Sequence, residues 1–148
     1  MARHEAYVGA LQAMGVDVNM AQFKDKDRRC PACRHKYKGH EEKETDVHLA
    51  LCLYDHAYRD MYDRALIVSR DSHIVPGVKM TKAAFPKKEF FAVAPPHFGH
   101  SNDLLTVVDG KHKIQVKHVE GCLLPQKINC EDGTVIQRPS EYDPPIKR

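Results

Sequence analysis

No stretch of this 148-residue chain approaches the roughly 20 consecutive apolar residues that a membrane-spanning helix needs. The opening Met-Ala-Arg-His-Glu is followed by apolar residues interleaved with polar ones, so it lacks the continuous core of a secretion signal. There is no Gly-x-Gly-x-x-Gly turn to cradle a dinucleotide's phosphates, no second Cys-x-x-Cys and no internal repeat. The first two absences argue against a membrane partner and for a cytoplasmic protein. The third leaves an oxidoreductase reading without its phosphate loop. Five cysteines, an odd number without a secretion signal, fit reduced thiols. A net charge of +3 is too small to establish a nucleic-acid partner by itself.

What is present is ordinary for a globular chain: 42% hydrophobic and 29% charged residues, and a length that suits one domain with a real core. Residues 3–14 place Ala6, Tyr7, Ala10, Leu11 and Met14 on one helical stripe, with Gly15 as its stop. Val16, Val18, Met20 and Phe23 alternate as a strand would. Lys24 to Lys38 holds seven lysines and arginines against two aspartates, around Cys30-Pro-Ala-Cys33, and reads as a polar loop. A helix over 44–61 follows, with a wide apolar stripe of Val47, Ala50, Leu51, Tyr54, Ala57, Tyr58 and Met61. Further on come a helix to Ala84, a buried strand over 88–94, a loop over 95–100, and a short helix capped by Ser101 that runs through Val108. A last strand over 113–119, a turn at Glu131-Asp132-Gly133 and an extended tail complete the chain.

The stretch that organises the rest is Arg64 to Pro76. Ala65–Val68 is a short β-branched run that reads as a strand buried on both faces. A polar turn, Ser69 to His73, then leads into a helix starting near Ile74, with Pro76 in its first turn. Open α/β sheets bind ligands beyond the carboxyl ends of their strands, which makes Asp71 the first candidate for chemistry. The plainer alternative is that Asp71 caps the next helix, and that Asp46 offsets the dipole of its own. Strands alternating with helices predict an α/β fold: a three-layer parallel sheet with helices on both faces.

From Glu42 onward the order of motifs resembles the NYN domain branch of the PIN-like nuclease superfamily. Glu42-Lys43-Glu44-Thr45-Asp46-Val47, a helix, then Leu66-Ile67-Val68-Ser69-Arg70-Asp71-Ser72-His73 and Pro76 follow that family's E-K-x-x-D-V, helix, L-V-S-G-D-S-D-x-x-P. Leu124-Pro125 and Arg138-Pro139…Tyr142 are similar to the ending of one bacterial subgroup. The rise in proline and charge from Pro125 reads as an extended arm over 125–148. The resemblance implies a Rossmann-like domain, over 1–124, and RNA cleavage dependent on Mg²⁺ or Mn²⁺. It casts Asp46 and Asp71 as catalytic, metal-binding acids, and Ser69 and Ser72 as supports of the same site. This chain departs from the pattern where Arg70 replaces a glycine and His73 replaces the second aspartate. It also begins at what looks like the family's first helix, so the preceding strand and its aspartate are expected to be missing.

Several alternatives stay open. His73 is a divalent-metal ligand, a proton shuttle or a solvated residue. Arg70 contacts phosphate or pairs with Asp71. Cys30 and Cys33 are free thiols or half of a zinc site, which needs four ligands. Lys36, Lys38 and Tyr37 grip an RNA backbone or simply face solvent. The functional readings are a metal-dependent ribonuclease, a catalytically silent RNA- or protein-binding relative and, last, an oxidoreductase. A homodimer is expected if the sheet leaves an edge to cover.

Overall fold

A computed structural model describes residues 2–143. Chain order is α1 (Ala2–Ala13), β1 (Gln22–Arg29), β2 (Lys36–Lys43), α2 (Thr45–Tyr58), β3 (Arg64–Ile67), α3 (Val75–Ala84), β4 (Glu89–Ala94), α4 (Asn102–Leu105), β5 (Gly110–Lys113), α5 (Val116–Gly121), β6 (Lys127–Asn129) and β7 (Val135–Gln137). Single 3-10 turns lie at Ser72–Ile74 and Ser140–Tyr142. The chain divides into two units, residues 21–119 and, drawn from both ends, the described parts of 1–20 and 120–148.

The larger unit is built on a parallel sheet of order β3-β4-β5. Ala65 and Ile67 sit in register with Phe90 and Ala92, so these four share a face. Onto that face pack Leu53 of α2, Ile74 and Val78 at the start of α3, and Leu104 of α4. Phe90, Val78 and Leu104 are fully buried. Helices α2 and α3 touch where Gly77 meets Ala50. A Cβ on residue 77 would lie 2.6 Å from that of Ala50, so any side chain there pushes the helices apart.

Two ion pairs pin the sheet's ends. Lys88 is buried; its ammonium pairs with Asp60 and lies 3.5 Å from Asp63 and 5.8 Å from the Tyr62 ring centre. The Asp60 carboxylate raises the Lys88 pKa, while desolvation opposes it. Asp109 accepts the Phe90 N–H at 2.9 Å and pairs with Lys82. The Lys82 ammonium first, then that N–H, holds Asp109 below the usual carboxylate range. Its contribution to stability is complete above the ordinary carboxylate pKa and disappears as pH falls through the lowered, folded-state value.

Several sequence expectations are met. The start of α3 at Val75, with Pro76 in its first turn, agrees with the sequence, as do β4 and the Ser101 cap, whose hydroxyl accepts the Leu104 N–H. Gly15, at φ 80°, ends α1, and Gly133, at φ 82°, turns the last hairpin.

Others need correction. Residues 16–21 carry no strand, and the strand begins at Gln22. The supposed loop 24–38 is mostly an antiparallel hairpin, β1 and β2. β3 is an edge strand whose Leu66 is 62% exposed, so it is not buried on both faces. Helix α2 ends at Tyr58 and buries Leu53 and Ala57, while Val47, Leu51, Tyr58 and Met61 are exposed. That helix is apolar almost all round between Val47 and Leu53, so periodicity alone did not select its inner face. The helix begun by Ser101 stops at Leu105. The strand expected at 113–119 lies at Gly110–Lys113, and Val116–Gly121 is helical.

In the smaller unit, α1 packs on the β6–β7 hairpin, where Gly9 lets the helix approach Ile136 closely. Ala10 and Ile128 are its buried residues. The tail therefore holds a hairpin where an extended arm was expected, and residues 144–148 lie outside the described part.

Candidate metal centre

β2 ends at Lys43 and runs almost directly into α2, with Glu44 as the left-handed joint at φ 80°. This puts Asp46 in the first turn of α2, half-buried. The other two members come from the turn that follows β3. Ser69 Oγ accepts the Asp71 N–H at 3.0 Å, and Asp71 Oδ1 accepts the His73 N–H at 2.9 Å. These two bonds fold the polar segment back on itself and start the 3-10 turn leading into α3. Asp71 is therefore the cap that local reasoning expects, and its second oxygen is left for other work.

The three side chains converge. His73 Nδ1 lies 3.3 Å from Asp46 Oδ2 and 3.1 Å from Asp71 Oδ1. One ligand atom from each falls within 4.8 Å of the others, the only such group of three or more among the described residues. Two carboxylates and one imidazole at this spacing fit a single divalent cation. An all-oxygen set suits Mg²⁺, and an imidazole moves the preference toward Mn²⁺ and later transition metals. The position, beyond the carboxyl end of β3, is where α/β sheets place ligands.

The remaining sequence candidates fall elsewhere. The Arg70 guanidinium lies over the Phe98 ring, 5.2 Å from its centre, and makes no ion pair with Asp71. Ser72 is exposed and opens the 3-10 turn. Lys36 and Lys38 stand on β2, with Lys38 3.9 Å from Asp25. Cys30 and Cys33 bracket the hairpin turn and are not among the three converging side chains.

The hairpin has a polarity that its reading as a loop concealed. Register pairs Lys24 with Glu41, Lys26 with Gly39 and Arg28 with Tyr37, and these side chains share one face with Lys43. Glu41 is held below the usual carboxylate range, chiefly by Lys26 and then by Lys43. Lys24 and Arg28 have no ion pair among the described residues. Arg28 lies across Gly39, beside the exposed Tyr37 ring. Lys36 and Lys38 are on the opposite face with Asp25, Asp27 and His40. The alternation Lys24, Asp25, Lys26, Asp27, Arg28 is the signal that reveals these faces. It is a period of two written in charge rather than in hydrophobicity.

No helix among the described residues is long and apolar enough to cross a membrane. Compared with protein-family models, curated proteins and solved structures, the chain matches none.

Proposed function

We propose that this chain is a metal-dependent ribonuclease of the NYN, PIN-like kind, holding a divalent cation between Asp46, Asp71 and His73. The observation that carries the reading is their convergence from two chain segments onto one ion-sized space beyond β3. A bound Mn²⁺ or Mg²⁺ would supply an acidified water and neutralise charge on a scissile phosphate. Asp46 and Asp71 would hold the ion, and His73 would add a nitrogen donor that favours Mn²⁺. The basic hairpin face, Lys24, Lys26, Arg28 and Lys43, ends three residues before Asp46. It supports RNA as the substrate, with Tyr37 as a stacking surface for a base. The fold that goes with this reading is the three-layer Rossmann-like sheet, and the setting is the cytoplasm.

The test is cleavage of a labelled single-stranded RNA by the purified chain with Mn²⁺, with Mg²⁺ and with chelator. We expect cutting that is faster with Mn²⁺ and absent with chelator. With Lys26 and Lys43 held by Glu41, Lys24 and Arg28 would neutralise two phosphates and give RNA affinity a log–log salt slope of about −1.4. Salt-sensitive binding without cutting with either metal would make the chain a silent RNA-binding relative. Neither binding nor cutting would overturn the proposal entirely.

A further inference from the structure

The tip of the β1–β2 hairpin is a built turn. Cys30 N–H donates to His35 O at 2.9 Å, and Arg34 N–H donates to Cys30 O at 2.9 Å. Arg34 takes the left-handed conformation, φ 57°, that lets the chain double back after Cys33. Within this turn the backbone N–H groups of Cys33 and Ala32 point at the Cys30 sulfur, and the Cys33 thiol lies against it. Both sulfurs are thus gathered at one point, free of disulfide, with amides aimed at the negative charge that a metal thiolate carries.

The pair has no third ligand in its own unit as folded, since the acidic triad is the only group of three within reach of one ion among the described residues. His40 lies several rungs down the hairpin and pairs with Asp25 at 3.0 Å. Every residue of β1 is exposed, as is Cys33 at the tip, while Cys30 is half-buried. An isolated two-stranded hairpin is marginal in water, and this one needs a closure.

We propose that Cys30 and Cys33 form half of a four-thiolate zinc site, completed by the same pair from a second copy of this chain. Structural zinc takes four tetrahedral ligands, which two such tips supply. Assembly converts four thiols and one Zn²⁺ into a tetrathiolate complex of charge −2 and releases four protons. That charge also offsets the repulsion between two tips lined by Arg28, Arg29, Arg34 and Lys36. The zinc staples the arm and joins two basic faces into one longer RNA-binding surface. The dimer contact is then the hairpin tip rather than the sheet edge.

The experiment uses the full chain carrying Asp71→Asn, so that the acidic site does not contribute metal. Zinc content and molar mass by light scattering are measured with zinc, with chelator, and in a Cys30→Ser/Cys33→Ser variant. We expect one zinc per two chains and a doubled mass. Both should be lost with chelator and in the double variant, whose circular dichroism should match that of the chelator-treated parent. Cobalt substitution should give intense thiolate charge-transfer bands. One zinc per monomer, zinc retained by the double variant, or no zinc at all would each overturn the proposal. A Cys130→Ser control identifies the first case if the ligand comes from within the chain. None of these outcomes depends on whether the chain cleaves RNA.

Discussion

Asp71→Asn is expected to slow metal-dependent RNA cleavage by about 100-fold or more while leaving folding stability within a few tenths of a kcal/mol of the parent. The separation follows from the two jobs of Asp71. One oxygen accepts the His73 N–H and starts the turn into α3. The carboxylate as a whole also faces Asp46 and His73 as part of the candidate cation site. Asparagine keeps an oxygen for the first job, and Asn and Asp are near-equal caps. It removes the negative charge that the second job requires. Asp71→Ala loses both, so it should lose cleavage to the same degree and also about 1 kcal/mol of stability. Cleavage rates paired with urea melts of both variants read the two jobs separately. If asparagine keeps full activity, Asp71 is only a cap.

Phe90→Ala is expected to cost about 3–5 kcal/mol, most of what a small domain possesses. Phe90 is 0% exposed and lies on the middle strand of the parallel sheet, between β3 and β5. Its ring meets Tyr62 edge-on at 6.4 Å, and its own N–H and C=O are both engaged by Asp109. Truncating the ring leaves a cavity among Leu53, Ile67, Ile74, Val78 and Leu104, which come from five different elements and have no common way to collapse. The same residues set the start of α3, and hence His73, against α2, and hence Asp46. Metal affinity should therefore fall with stability. Urea unfolding followed by circular dichroism gives the loss directly. A change below about 1 kcal/mol would mean that the sheet, as described, is not the core of the larger unit.

How much of this was legible in the sequence depended on how local the determinant was. Pro76 after a polar turn placed the start of α3, an unbroken apolar run placed β4, and Ser101 placed a cap, because each signal acts over a few residues. The faces of α2 were not legible. Leu49, Leu51 and Leu53 compete for the core, and the winner is decided by Gly77, which admits Ala50 from a segment far along the chain. The hairpin was hidden for the opposite reason. It buries almost nothing, so no hydrophobic alternation marks it, and its register appears only when Lys24 is seen opposite Glu41. The site was half legible. A resemblance singled out Asp46, Asp71 and His73 one by one, but their meeting is a property of the sheet and of the turn that Ser69 and Asp71 build.

The central claim is that these three side chains hold one divalent cation. A Mn²⁺ titration of the purified chain, followed by electron paramagnetic resonance, tests it most directly. We expect one tight site per chain, weakened at least about tenfold by Asp46→Asn or Asp71→Asn and unchanged by Cys30→Ser/Cys33→Ser. Equal Mn²⁺ binding by the parent and both aspartate variants would contradict it.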